Sequence, residues 1–186
     1  MSVTHRFPDR LRLPTVVPQA VILLVLLAAV LAFAPAAHAS SSTTCTGTSS
    51  ATYNPGLTLT PQSVALTETD TLSSCTSTDP TLTSGSFGLG GTIPGAACND
   101  VQAGPGTPIT VTWNNTHTST AALTYVLTVT GGILQTVGTG TVTSGEFTGA
   151  TAVFVWAYAL VNPLQCLAPG GLTSHGGTIT VQILAP

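Results

Sequence analysis

The sequence predicts an all-β domain: an antiparallel, immunoglobulin-like β-sandwich of about eight strands, held by two disulfides and preceded by a signal peptide. Three observations predict it. Charged residues make up only 5 % of the chain, while Thr, Val and Gly recur throughout, a composition that favours strands over helices. Apolar and polar residues alternate with a period of two in segment after segment, separated by Gly, Pro, Asn and Ser clusters. Cys45, Cys75, Cys98 and Cys166 form an even set behind an export signal, the pattern of a disulfide framework.

Residues 1–39 read as the signal peptide. Arg6, Arg10 and Arg12 give a positive leading region, Ala20 to Ala34 is an uncharged apolar run, and Ala37-His38-Ala39 is a small-residue cleavage site. The run is shorter than the roughly 18–20 residues that span a bilayer, so membrane contact is expected only before cleavage. The product is expected to be secreted, extracellular or associated with the cell wall. Residues 40–52 are rich in Ser and Thr and predict a flexible leader, and the domain is expected over 53–186.

The strands follow in order. Pro55-Gly56 marks a turn. Over Ser63 to Leu72, Val64 and Leu66 share one face, and Glu68 and Asp70 continue the same alternation. Thr81 to Leu89 is a short candidate. Ile109, Val111 and Trp113 alternate with Thr110, Thr112 and Asn114. Leu123, Tyr125, Leu127 and Val129 repeat the pattern, and Gly131-Gly132 predicts a tight hairpin into Ile133 to Thr143. Ile179, Val181 and Ile183 mark the last strand. Thr151 to Val161 breaks the rule, being apolar on both faces, as expected for a strand buried on both sides. Its larger face, Phe154, Trp156 and Tyr158, is also a candidate interaction surface for an envelope, glycan or protein partner. Thr81 to Phe87 is echoed at Thr141 to Phe147, which predicts equivalent strands with a glycine bend before an aromatic anchor.

Taken together, Pro55-Gly56-Leu57, Trp113-Asn114, the stretch from Val142 to Gly149 and the four cysteines resemble a group of secreted actinobacterial proteins described as immunoglobulin-like. The resemblance implies a secreted β-sandwich and carries no activity with it. The four cysteines allow three pairings. Cys45–Cys75 with Cys98–Cys166 is favoured, because it staples the N-terminal and C-terminal parts separately.

Charge excludes more than it suggests. No Lys or Arg follows Arg12. The exported product therefore lacks the cationic footprint of a nucleic-acid binder, a Schiff-base lysine and an arginine clamp for phosphoryl groups. His117 and His175 both sit in turn-like composition, and neither belongs to a catalytic or zinc motif, so both read as surface histidines. Glu68 and Asp70, with Asp79 or Asp100 nearby, have oxygen ligands for Ca²⁺ but no loop to hold it, and read better as solvated edge charges. Glu146 lacks the second carboxylate of a glycosidase. The sequence thus points to a non-catalytic structural or interaction module with no cofactor and no metal. The alternatives are a hydrolase or protease inhibitor working through a loop site, or a carrier of an apolar ligand, which a closed barrel with an empty lumen would favour.

Overall fold

A computed structural model describes residues 42–98, 106 and 108–185. The expected signal peptide lies outside the described residues. The strands are β1 (Thr43–Leu57), β2 (Gln62–Ser77), β3 (Gly85–Ala96), β4 (Ile109–Trp113), β5 (Thr118–Thr130), β6 (Ile133–Gly145), β7 (Thr151–Ala159) and β8 (Leu172–Leu184). A single turn of helix, α1 (Pro163–Leu167), lies between β7 and β8. Each strand pairs antiparallel with the next, and β8 returns to pair with β1.

The ring of pairing corrects the expected sandwich and its immunoglobulin-like arrangement. The strands close into one up-and-down barrel, with no second sheet facing the first among the described residues. The reason lies in β1. Thr43–Leu57 is a full strand, not the flexible leader expected over 40–52. Its partners on both sides, Cys75 and Val181 opposite Cys45 for example, join the two ends of the sheet. A Ser/Thr-rich run is well suited to this role, because its outward hydroxyls face water while Thr43, Cys45, Ser49 and Ala51 turn inward.

Along most strands alternation puts Thr and Ser outside and apolar residues inside. Thr110 and Thr120, opposite each other on β4 and β5, join hydroxyls at 2.9 Å on the outer face. A barrel that spans a membrane shows the reverse pattern, apolar outside and polar within. Among the described residues no helix is long and apolar enough to cross a membrane.

The strand ends divide the barrel into two levels. At the first end, Leu72, Ile109, Val111, Trp113, Val142 and Ile183 are buried. Loop residues Leu82 and Ala150 are buried over them. Burying each large side chain stabilises the fold by about 1.5–3 kcal/mol. Trp113 anchors this end. Its Nε1 donates to Ser119 Oγ at 2.8 Å, and Phe147 meets its ring edge-on at a centroid distance of 6.0 Å. A side chain at Gly85 would strike the Trp113 ring at 2.7 Å. The two halves of the sequence echo therefore converge on one tryptophan through Gly85 and Phe147. They do not mark equivalent strands, since Gly85 opens β3 while Phe147 lies in the turn after β6.

The disulfides join Cys45 to Cys75 and Cys98 to Cys166, the favoured pairing. Cys45 and Cys75 sit directly opposite each other on β1 and β2, beyond a register shift that lets one strand carry an extra residue. The Gly131-Gly132 hairpin also forms where the sequence places it, with positive φ of 59° and 79°.

Candidate functional site

The second level of the barrel holds the candidate site. Inward positions there come from five strands: Ser49 and Tyr53 on β1, Glu68 and Asp70 on β2, Tyr125 on β5, Trp156 and Tyr158 on β7, and His175 on β8. Trp156 and Tyr158 are only 2 % and 8 % exposed, and Phe154 is fully buried. This corrects the reading of Phe154, Trp156 and Tyr158 as an interaction surface: they are the interior wall of the lumen. The face that β7 turns outward carries Val153, Val155 and Ala157, and Val155 lies beside Val137, which in turn lies beside the exposed Val126.

Size decides which face of β7 turns inward. Two tyrosine rings need neighbouring positions without side chains. Gly138 lies opposite Phe154 on β6, and Gly177 lies opposite Tyr158 on β8. A Cβ at Gly138 would come within 2.9 Å of the Tyr125 ring, and a Cβ at Gly177 would collide with the Tyr158 ring. Glycine on the neighbouring strands thus leaves the floor space on which the tyrosines lie. Phe154 and Trp156 stack at 5.7 Å, Phe87 packs edge-on to both, and Tyr125 lies 6.0 Å from Trp156. These rings close the lumen at its midpoint.

Against this aromatic floor stand two carboxylates. Asp70 is fully buried, so it is no solvated edge charge. Its Oδ1 accepts a hydrogen bond from Trp156 Nε1 at 3.2 Å, while its Oδ2 has no partner. Burial, followed by repulsion from Glu68, raises its pKa from the ordinary carboxylate range to about 7. Glu68, one inward position nearer the second end, is half-buried. Its Oε1 accepts from Ser49 Oγ at 3.2 Å and from Tyr158 Oη at 3.1 Å, and those two hydroxyls lie 2.6 Å apart. Burial, together with the Glu68 carboxylate, holds the phenols of Tyr53, Tyr125 and Tyr158 above their usual range. His175 lies along Tyr158 with ring centroids 5.1 Å apart.

Sequence reasoning placed Val64, Leu66, Glu68 and Asp70 on one face, and that placement holds. It erred in taking the polar end of the face for an outer edge. The signal was the run itself: Leu72 resumes the apolar alternation just beyond Asp70, so the carboxylates are enclosed between core positions. The other candidates do not join the site. His117 lies in the turn between β4 and β5 at the first end, 3.7 Å from Glu146 and largely exposed. Asp79 caps a turn there, its carboxylate accepting from Thr81 N at 2.9 Å and Thr81 Oγ1 at 2.7 Å, which lowers its pKa. Asp100 lies outside the described residues. Two histidines and a carboxylate are therefore not gathered in one cleft, and among the described residues no three His, Cys, Asp or Glu stand together as metal ligands.

Fold and site together define an eight-stranded up-and-down barrel whose inner face carries an acidic and aromatic cluster. No protein family, no curated protein and no solved structure matches this chain.

Proposed function

We propose that this protein is a secreted, non-catalytic binding module that carries a small, largely apolar molecule in the second level of its barrel. The export signal and the two disulfides support secretion, since such bonds persist in oxidising compartments. One observation carries the binding reading. Inward-facing Leu66, Leu89, Ile93, Leu127 and Leu134 remain partly exposed in the second level, although Val64 there is sealed, whereas Leu72, Ile109, Val111, Trp113, Val142 and Ile183 of the first level are buried. Apolar walls that face a lumen and still meet solvent are the walls of a cup. Barrels of eight strands have room for side chains alone or for one small ligand.

A neutral fluorescent probe, N-phenyl-1-naphthylamine, tests the reading. Saturable binding with quenching of the tryptophan emission is expected, because Trp156 lies in the floor. Leu134→Trp, which fills the cup, is expected to weaken binding at least tenfold, and Val126→Trp on the outer face is expected to leave it unchanged. Probe uptake that never saturates, or that ignores Leu134→Trp, would overturn the reading.

A further inference from the structure

The lumen contains acid without base. Glu68 and Asp70 face inward, yet no Lys or Arg follows Arg12 in the whole chain. In most proteins a buried carboxylate is neutralised by a cation of the same chain, because an unpaired one is costly to desolvate. Here the exported chain has none to offer beyond a histidine. The groups that face the pair are Ser49 and Tyr53 from β1, Tyr125 from β5, Trp156 and Tyr158 from β7, and His175 from β8.

Hydrogen atoms are short as well. Ser49 Oγ, Tyr158 Oη and Glu68 Oε1 form a triangle with edges of 2.6, 3.1 and 3.2 Å. Two hydroxyl hydrogens serve these three edges, so with Glu68 ionised one edge always lacks a proton. One layer deeper, Asp70 Oδ2 is buried and makes no hydrogen bond, the nearby Ser49 hydroxyl being directed to Glu68 and Tyr158. Buried acceptors in folded proteins nearly always find a donor, so an orphan of this kind calls for an explanation. The site therefore has excess negative charge, excess acceptors and a surrounding of π-faces. An ammonium ion answers the charge, the unserved edge of the triangle and the π-faces together, since it supplies positive charge and N–H donors and binds favourably over aromatic rings.

We propose that the cup takes a small organic cation, a primary ammonium on an apolar body, with its head against Glu68 among Tyr53, Tyr125 and Tyr158 and with Asp70 as the buried second charge. This inference rests on the reading of the barrel as a carrier and adds the chemistry of the cargo. Glu68 is the group that meets the head, being half-exposed to the cup. Asp70 is a positioning residue that adds negative potential from beneath. Burial and then repulsion from Glu68 raise the Asp70 pKa, and a cation held against Glu68 would offset the second of these.

Matched probes test it. Octylammonium and octan-1-ol share an apolar body and differ in the head. Both are titrated against protein loaded with N-phenyl-1-naphthylamine and, separately, by calorimetry. At pH 8, octylammonium is expected to bind at least tenfold tighter than octan-1-ol. The ratio is expected to fall several-fold at pH 5.5, where Asp70 is protonated. Glu68→Gln and Asp70→Asn are each expected to bring the ratio towards one, and His117→Ala at the far end is expected to keep it. Equal binding of the two probes by the unaltered protein overturns the cation proposal while leaving the carrier reading in place. A preference that survives both carboxylate substitutions overturns it too. Failure of every probe to bind overturns the carrier reading, and the cation proposal falls with it. The comparison on the unaltered protein needs no variant to fold.

Discussion

At the end of the barrel that holds Cys45–Cys75, Leu72, Ile109, Val111, Trp113, Val142 and Ile183 are sealed from water. At the other level Tyr53, Leu66, Leu89, Tyr125, Leu127 and Leu134 also face inward, yet each keeps part of its surface exposed. The strands that build both levels share one alternation of apolar and hydroxyl residues. The difference comes from what lies over them. Leu82 and Ala150 come from connecting segments and are buried into the first level, and Phe147 packs on Trp113 beside them. In the second level the described connection through α1 leaves Leu164 and Leu167 70 % and 64 % exposed. Among the described residues, connecting segments thus seal the first level with apolar side chains, while the α1 turn keeps Leu164 and Leu167 outside. The same contrast explains where polar groups are tolerated: carboxylates stand at the boundary, where aromatic donors meet them from one side and water reaches Glu68 from the other.

The contrast is broken most severely at its packed end. Trp113→Ala is expected to cost roughly 3–5 kcal/mol, combining cavity formation with loss of the Ser119 hydrogen bond. Leu134→Ala at the open level is expected to cost less than about 1.5 kcal/mol, since water already reaches the site. Urea unfolding of the two variants measures the difference. Equal costs would mean that both levels are packed alike.

The boundary itself is probed by pH. The Asp70 pKa rises on folding to about 7 from an ordinary value of 3.8. A raised carboxylate pKa means that the folded state binds the proton more tightly. Its contribution is fully present below about pH 4 and is lost as pH rises through 7. Stability is therefore expected to fall by roughly 2–4 kcal/mol from pH 4 to pH 8 on account of this group. Asp70→Asn is expected to flatten that slope and to raise the melting temperature at pH 8. Melting curves at both pH values check it, and an unchanged slope in Asp70→Asn would show that another group titrates.

A smaller effect is expected inside the cup. Gly177→Ala is expected to cost about 1–3 kcal/mol by pushing the Tyr158 ring off its floor. The same change separates Tyr158 from Ser49, which tyrosine fluorescence and the hydroxyl exchange rate by NMR would register. The smallest effect belongs to the exposed pair at the sealed end. Glu146→Gln breaks the contact with His117 and is expected to change stability by less than about 1 kcal/mol, measured by urea unfolding.

Much of the fold was legible along the chain. Alternation located β4, β5, β6 and β8, and Gly131-Gly132 announced its hairpin because two successive positive φ values suit glycine. The cysteine spacing favoured the pairing that forms. The candidate site was half legible. Alternation put Glu68 and Asp70 on the Val64–Leu66 face, but a carboxylate on a strand is ordinarily a solvent-facing residue, and nothing local to β2 reveals that Trp156 and Tyr158 stand opposite. Phe154, Trp156 and Tyr158 were legible as one face of β7, though not as an inner one, because both faces of that strand are apolar. Their direction depends on neighbouring strands: Gly177 on β8 leaves the room that the Tyr158 ring takes, and Gly138 on β6 leaves room for the Tyr125 ring that packs on Trp156.

By itself the sequence determined that this chain forms strands and which residues share a face. These are local properties, fixed by a period of two and by residue chemistry. Only the tertiary structure decided that the sheet closes on itself. Closure depends on β1 meeting β8, strands from opposite ends of the described chain, and pairing between such distant segments is set by the twist and stagger of the whole sheet. Closure in turn creates an inside, and being inside buries Asp70 beneath a half-buried Glu68, among aromatic rings.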